Sequence, residues 1–326
     1  MNLTNHQGLP QALVEAVRND GYSKGEADFS VTELLQPPQK VQLERRHDAS
    51  LSEDAADRIW SLMGQVAHGI LERAGDELNA LTERRLFADV GVGRGSVRVS
   101  GAFDRTLLLN DQGAARLQDY KVTTAYAIAI EGGVKPEWEQ QINIYAALLR
   151  HHGYTVDSAE IVAILRDWSK MEAKRRPSEY PQQQVMVLPV RLWAPEEAEQ
   201  FLTSRAIQHA KAADLGHLDL PPCTDEERWA KPGQVAVYKQ GNKRAARVVQ
   251  TLQEAVDWMA WRGIIAEPDK HEAEVELSHG KTHAGHYVEF RPPRYIRCEN
   301  YCAAAPICHQ WATTKRALGM DEQEAA

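Results

Sequence analysis

The chain reads SVRVSGAFDRTLLLNDQGAARLQDYKVT from Ser96 to Thr123, and this stretch decides the fold prediction. Its first part alternates residues between two faces, which is typical of a strand. The turn signal Asn110-Asp111-Gln112-Gly113 separates Thr106–Leu109 from a second strand over about Arg116–Thr123. We therefore predict two consecutive strands joined by a turn.

The period of two assigns the side chains of these strands to faces. The first strand has Val97, Val99, Gly101 and Phe103 on one face and Ala102 and Asp104 on the other. In the second strand, Asp119 and Lys121 share a face and Tyr120 points the opposite way. Charged groups thus recur on neighbouring strands.

Helical patterns flank the predicted strands. Upstream, apolar residues recur at helical spacing over about Ser52–Ala74, with Ser52 as the cap and a stripe made of Ile59, Met63, Val66 and Ile70. His68 lies off this stripe, and the missing side chain at Gly64 would let another backbone or a ligand approach its imidazole. Downstream, Pro136 suits the first turn of a helix that closes before Gly153, and a strand follows at Ile161–Leu165. The order predicts an α/β layer arrangement.

The composition is that of an ordinary globular protein. Of 326 residues, 26% are charged and 43% hydrophobic, which argues against a disordered or fibrous chain. The formal charge of -8 excludes histone-like polyanion binding but leaves local basic patches open. No apolar run approaches the roughly 18 residues of a membrane span, and residues 1–10 lack the features of a signal peptide. We expect a cytoplasmic protein without membrane contact.

A histidine, two aspartates and a lysine can converge at one end of the predicted sheet: His68, Asp104, Asp119 and Lys121. Carboxylates suit Mg²⁺ or Mn²⁺, and an imidazole shifts the preference toward Mn²⁺. A lysine beside such a site can orient an attacking water and offset phosphate charge, so the group fits metal-assisted phosphodiester hydrolysis. Singly, each residue has an ordinary alternative, such as an ion pair between Asp104 and Arg105 at the surface.

Three short motifs contain these residues: Gly64-Gln-Val-Ala-His68, Gly101-Ala-Phe-Asp104 and Asp119-Tyr-Lys121; a fourth motif, Gln141-Ile-Asn-Ile-Tyr145, follows them in the chain. In order and spacing they resemble the RecB-like branch of the PD-(D/E)XK nuclease superfamily, over roughly Ser30–Leu165. The resemblance implies an α/β nuclease core with a central mixed sheet flanked by helices. It also implies that His68, Asp104, Asp119 and the Tyr120 carbonyl hold the metal, that Lys121 serves the attacking water, and that Gln141 and Tyr145 support the site and contact DNA. Asp119 stands where many relatives have Glu.

The cysteines form a second candidate site. Cys298, Cys302 and Cys308 fall within eleven residues, and Cys223 lies far upstream. A disulfide framework is not expected in the cytosol, and four thiolates can hold either a [4Fe–4S] cluster or zinc. Iron–sulfur members of the resembled branch, including AddB and the CRISPR adaptation exonucleases, combine a C-terminal trio with one remote cysteine that precedes the nuclease core. Because Cys223 follows the core, His309 is an alternative fourth ligand in a Cys₃His zinc site.

Two basic segments are candidate DNA contacts. The first surrounds a hairpin turn at Gly241-Asn242 and comprises Lys239, Lys243, Arg244 and Arg247, with no acidic residue between them. The second comprises Lys170, Lys174, Arg175 and Arg176, with Trp168 nearby as a stacking surface for a single strand. Solvated loops are the alternative interpretation of both.

Together the residues and the resemblance predict a Mg²⁺- or Mn²⁺-dependent deoxyribonuclease that acts in DNA recombination, repair or phage DNA processing. We predict an exonuclease in preference to a sequence-specific endonuclease. DNA is the expected substrate, and a recombination or annealing protein is an expected partner; phage-encoded relatives are resembled more weakly. The alternatives are a non-catalytic DNA-binding or assembly factor and a zinc-stabilised endonuclease. Cleavage polarity, strand preference and oligomeric state stay open.

The predicted organisation has five parts. These are an N-terminal extension (1–29), the nuclease core (30–168), an accessory DNA-contacting region (169–297), a loop-rich cysteine-cluster segment (298–318) and a flexible tail (319–326). Within the accessory region we predict helices at about Glu196–Ala213 and Leu252–Arg262, and a hairpin at Val235–Val249.

Overall fold

The computed structural model describes residues 1–19, 21, 23–73, 80–93, 95–110, 113–130 and 133–320. These residues belong to two compact units, Met1–Pro221 and Pro222–Ala326. Parts of three predicted features lie outside the described residues: the centre of the turn at 111–112, the helix end at 74 and the tail from 321 onward. The five-part division of the chain stays a prediction.

The first unit contains eight helices and eight strands among its described residues. In chain order they are β1 (Asn2–Thr4), α1 (Gln11–Arg18), β2 (Phe29–Ser30), α2 (Val31–Leu34), α3 (Pro38–His47), β3 (Ser52–Asp54), α4 (Ile59–Glu72), β4 (Ala80–Gly91), β5 (Ser96–Leu108), β6 (Ala114–Thr123), α5 (Ala125–Ile130), α6 (Pro136–His151), β7 (Thr155–Leu165), α7 (Lys170–Arg175), β8 (Val185–Val190) and α8 (Pro195–Asp214). The predicted strands, the helix from Pro136 and the helix near Glu196–Ala213 are therefore confirmed.

A mixed six-stranded sheet forms the centre of this unit. The strand order is β2-β5-β6-β7-β8, and β4 pairs with β5. The β4–β5, β5–β6 and β7–β8 pairs are antiparallel, whereas β6 and β7 are parallel. Because parallel strands end at the same edge of a sheet, the segments that follow Thr123 and Leu165 leave it side by side.

Helix α6 supplies most of the core that covers the sheet. Pro136 occupies its first turn, where the missing backbone N–H costs no hydrogen bond. Ile144 and Leu148 on this helix are fully buried together with Leu117 and Ile161 of the sheet. Burial of such side chains contributes roughly 1.5–3 kcal/mol each, so the strands that carry the candidate site rest on a well-packed layer.

The prediction of a continuous helix from Ser52 is wrong. Ser52–Asp54 form β3, which pairs in parallel with β1, and a 3₁₀ turn over Ala55–Arg58 precedes α4. The Asp54 carboxylate accepts hydrogen bonds from the backbone N–H groups of His6 and Ala56 at 2.7 and 3.0 Å. These contacts hold the segment extended until Ile59, and local periodicity does not reveal them.

Helix α4 presents its predicted apolar stripe to solvent. Met63, Val66 and Ile70 are about half exposed, and no described side chain of the helix is buried. A Cβ at Gly64 would meet no atom within 4 Å, so the expected close approach of another backbone is absent among the described residues. The helix turns His68, which lies off the stripe, toward the sheet.

The second unit has its own small core. Its elements are β9 (Ala230–Lys231), β10 (Gln234–Lys239), β11 (Arg247–Val249), α9 (Leu252–Trp261), α10 (Lys270–Ser278), β12 (His286–Arg291), β13 (Arg294–Tyr295), α11 (Ile296–Asn300) and α12 (His309–Ala317). The sheet β11-β10-β12 buries Val237 against Met259 and Leu277 of the helices. The predicted β10–β11 hairpin and the helix from Leu252 are confirmed.

The segment around the C-terminal cysteines is more regular than predicted. Cys298 lies in α11, a 3₁₀ turn covers Ala305–Ile307, and Cys308 immediately precedes α12. The prediction of a loop-rich segment is therefore wrong, because helices this short leave no detectable period in the sequence. None of the helices in the described part of the chain is both long and apolar enough to cross a bilayer.

Candidate active site

His68 joins α4 to two strands of the sheet. Its Nε2 lies 3.1 Å from the carbonyl oxygen of Tyr120, and its Nδ1 lies 3.1 Å from Oδ1 of Asp104 and 3.6 Å from Oε1 of Glu83. Hydrogen bonds to Asp104 and then to Glu83 raise the pKa of His68 to about 10. Both ring nitrogens therefore carry protons at neutral pH, and the imidazolium balances the surrounding carboxylates.

Asp104 is fixed from the neighbouring strand. The backbone N–H of Tyr120 donates to Oδ2 of Asp104 at 2.5 Å, while the other carboxylate oxygen faces His68. One carboxylate thus bridges β5, β6 and α4, and Asp104 itself is almost fully buried. The arrangement places the Tyr120 carbonyl at the site, as the sequence predicts.

Asp119 and Lys121 lie together on β6. The Lys121 ammonium is 2.7 Å from Oδ2 of Asp119, whose carboxylate is buried. Burial raises the pKa of Asp119; Lys121 opposes this effect, and the charge of Asp104 adds to it. A buried carboxylate beside a second carboxylate is energetically demanding unless cations balance it.

Two residues of α6 complete a chain of contacts from Lys121. The ammonium donates to Oε1 of Gln141 at 2.9 Å, and Nε2 of Gln141 donates to the hydroxyl of Tyr145 at 2.9 Å. The side chains of Gln141 and Tyr145 are one helical turn apart. The structure therefore brings together every residue that the sequence predicts for the active site.

Glu83 is a candidate site residue that the sequence does not reveal. It lies in β4 between the paired positions Thr82↔Arg105 and Arg84↔Phe103, and so opposite Asp104. Its φ of 44° is unusual for a residue with a side chain and costs of order 1–3 kcal/mol. The charged run Glu83–Arg85 has no motif spacing, so only the strand register identifies Glu83.

The donor set suits a hard divalent cation. One ligand atom each from His68, Glu83 and Asp104 lie within 4.8 Å of one another. The Tyr120 carbonyl lies against His68, and the charges of Asp104 and His68 act on the buried Asp119 carboxylate. Carboxylates and a carbonyl suit Mg²⁺ or Mn²⁺, and a cation can replace the proton that now makes His68 positive. The residues therefore fit the metal that the sequence predicts.

Comparison with known proteins agrees with this geometry. The model of the PD-(D/E)XK nuclease superfamily matches residues 23–309. The chain belongs to this superfamily. Its members are generally nucleases that use divalent metals, and DNA is the substrate that the fold implies.

Comparisons with curated proteins and with solved structures do not extend this assignment. No curated protein matches the chain. The solved crystal structure of SSO0001 is 16% identical, covers 67% of this chain and 89% of its own, and superposes with a TM-score of 0.43.

In the present chain, both predicted basic segments lie at the surface. Lys239 and Arg247 flank the β10–β11 connection that contains Lys243 and Arg244, and all four side chains are exposed. Lys170, Lys174 and Arg175 lie on α7, with Arg176 at its end; the two arginines pair with Glu172 and Glu179. Trp168 is partly buried against the core, and its indole N–H donates to the Pro181 carbonyl at 2.8 Å. Its role as a stacking surface for a single strand stays a prediction.

The four cysteines all lie in the second unit, and no disulfide joins them. Burial raises the pKa of the Cys223 thiol to about 12, and Glu227 and the other three cysteines add to the effect. Gln310, two residues beyond Cys308, exchanges hydrogen bonds of 2.9 Å with both the N–H and the carbonyl of Cys223. The remote cysteine and the C-terminal trio are thus held in one neighbourhood.

Proposed function

We propose that the protein is a Mg²⁺- or Mn²⁺-dependent deoxyribonuclease that degrades DNA from its ends. The observation that carries this proposal is that His68, Asp104 and the Tyr120 backbone contact one another, and that Asp119 and Lys121, on either side of Tyr120 in β6, form an ion pair. A protein that only binds DNA has no need for a buried pair of carboxylates next to a lysine. The preference for ends, and a place in recombination, repair or phage DNA processing, rest on the resemblance to RecB-like nucleases.

The residues have distinct roles in this proposal. His68, Glu83, Asp104, Asp119 and the Tyr120 carbonyl would hold the metal. A bound divalent ion stabilises charge on the phosphoryl oxygens and makes an attacking water more acidic.

Lys121, beside Asp119, orients the attacking water and offsets phosphate charge. Gln141 accepts from the ammonium and so fixes where it points, and Tyr145 fixes Gln141 in turn.

Cleavage of end-labelled linear DNA and covalently closed circular DNA tests the proposal, with Mg²⁺ or Mn²⁺ added. Wild type should degrade the linear DNA and spare the circles. Asp119→Ala should lose the activity, and Asp157→Ala, an exposed aspartate of β7, should keep it. Thermal unfolding of each variant checks that it folds.

The other outcomes select between the alternatives. Cutting of circles at fixed sites would favour an endonuclease. A wild-type protein that binds DNA but cuts none under these conditions would favour a non-catalytic DNA-binding or assembly factor. Equal activity of Asp119→Ala and wild type would remove Asp119 from the site.

We further propose that Cys223, Cys298, Cys302 and Cys308 hold a [4Fe–4S] cluster. Support comes from the resemblance and from the shared neighbourhood of the thiols, whose charges affect one another. A bound metal centre would favour the thiolate forms that burial now disfavours. The cluster would then serve as a clip between the Cys223 segment and the C-terminal helices.

Zinc is the alternative, with His309 as a substitute ligand. The absorption spectrum and metal content of anaerobically purified protein distinguish the two, because an iron–sulfur cluster absorbs visible light and zinc does not. Cys223→Ser should lose the metal while His309→Gln retains it. Loss of bound zinc in His309→Gln, with zinc retained in Cys223→Ser, would establish the Cys₃His site.

A further inference from the structure

Trp60 presents a large exposed indole on the helix that carries His68. It occupies the first turn of α4, and 59% of its surface is exposed. With a rise of 1.5 Å per residue, Trp60 and His68 are separated by about 12 Å along the helix axis. A chain a few nucleotides long can span that distance, so a ligand at the site is within reach of the indole.

Arg166 fixes one face of this indole. Its guanidinium carbon lies 3.7 Å from the centre of the Trp60 ring, a cation–π contact. Arg166 directly follows β7, and its backbone N–H donates to the carbonyl of Thr123 at 3.0 Å. Thr123 is the last residue of β6 and lies two positions beyond Lys121. The Trp60–Arg166 pair therefore sits at the sheet edge where the site-bearing strand ends.

The surroundings of the pair are aromatic and basic. Tyr126 of α5, which follows β6, is 63% exposed, and the N–H of Ala125 is bonded to Asp167 at 2.7 Å. The segment 166–176 contains five basic residues and two acidic ones. Exposed ion pairs such as Arg175–Glu172 contribute little, so a phosphate can compete for these arginines.

We infer that Trp60 and Arg166 form a stacking site for an unpaired base of a DNA strand whose backbone reaches Asp104 and Asp119. This inference rests on the proposed nuclease function and adds the preferred substrate, a single strand or a frayed end. Aromatic faces stack on any base without regard to sequence, and arginine supports such stacks. Bases inside a duplex are covered by their neighbours and are not available to the indole.

The test is binding of a fluorescent oligonucleotide and of its blunt duplex to the full-length Asp119→Ala protein, followed by anisotropy. Adding Trp60→Ala should weaken single-strand binding by about 5- to 150-fold, the loss expected for one base–aromatic stack. Duplex binding should not change, and Trp60→Phe should restore most of the affinity. Met63→Ala, on an exposed apolar residue of the same helix, is the matched control and should have no effect.

The outcomes separate this inference from the proposed function. Unchanged single-strand binding by Trp60→Ala, with wild-type cleavage intact, overturns the stacking site alone and leaves the proposed nuclease function standing. An equal loss of single-strand and duplex affinity also overturns it, because a base stack cannot explain that result. If wild type neither binds nor cuts any DNA, both proposals fail.

Discussion

Substitution of Gly101 by Ala should disturb the core and the active site together. Gly101 lies in β5, three residues before Asp104. An added Cβ would lie 2.8 Å from side-chain atoms of Val31, Tyr145 and Leu148. All three side chains are buried, so none can move into solvent. Overpacking of this kind lowers the free energy of unfolding by about 1–3 kcal/mol. Because three clashes occur at once, we expect a decrease near the upper end of this range.

The same clash should reduce catalysis, because Tyr145 is hydrogen-bonded to Gln141, which in turn contacts Lys121. A shift of its ring moves the hydroxyl to which Gln141 donates, and Gln141 in turn holds the ammonium. Misplacement of a positioned group by about 1 Å can cost on the order of 100-fold in rate. We therefore expect kcat to fall by about 10- to 100-fold in protein that is still folded.

Urea denaturation and single-turnover cleavage measure the two effects. Gly64→Ala is the matched control for stability: its Cβ meets no atom within 4 Å, and alanine is favoured over glycine in a helix by about 0.8–1 kcal/mol. The same chemical change should therefore stabilise the protein at position 64 and destabilise it at 101. Wild-type stability of Gly101→Ala would refute the packing argument, and a destabilised variant with unchanged kcat would refute the link through Tyr145.

Three further predictions follow from the structure. Glu83→Gln should raise the Mn²⁺ concentration needed for cleavage by about tenfold or more, while Glu137→Gln, an exposed glutamate, should not; equal metal dependence would remove Glu83 from the site. Burial and then Arg205 lower the pKa of His209 to about 4, below its ordinary 6.5. The free energy of unfolding should therefore be intact above pH 6.5 and fall by about 3 kcal/mol as the pH drops to 4. Denaturation at several pH values should show that this pH-dependent fall is absent in His209→Gln, and a fall that persists in the variant would assign it to another group. Replacing Lys243 and Arg244 by Ala should weaken DNA binding and flatten its salt dependence by about 0.9 in slope per lost phosphate contact, and an unchanged slope would refute the contact.

Local patterns predict the strands and their faces because strand alternation and turn signals depend only on residues close together in the sequence. The alternation before Phe103 and the turn signal near Gly113 place Asp104 and Asp119 on adjoining strands. The period of two places Lys121 beside Asp119, and their side chains are in contact at 2.7 Å. The short parallel pairing of β1 with β3 joins segments about fifty residues apart, and no local period encodes it.

Glu83 shows what a site needs beyond motifs. Its position opposite Asp104 depends on the register of β4 against β5 and on a backbone conformation with positive φ. Neither the strand register nor the positive φ can be predicted from the residue type or from the spacing of residues in the sequence. A carboxylate that enters a site through strand register therefore has to be found in the structure.

Helix α4 shows why its apolar stripe is a poor guide to burial here. The period of Met63, Val66 and Ile70 correctly predicts a helix, yet these side chains face solvent. The helix buries none of its described side chains, so core packing alone does not fix its position. His68 joins it to Tyr120, Asp104 and Glu83, and Trp60 joins it to Arg166. Groups that would bind metal and DNA are thus among the contacts that hold α4 on the sheet, and we expect ligand binding and the position of this helix to be coupled.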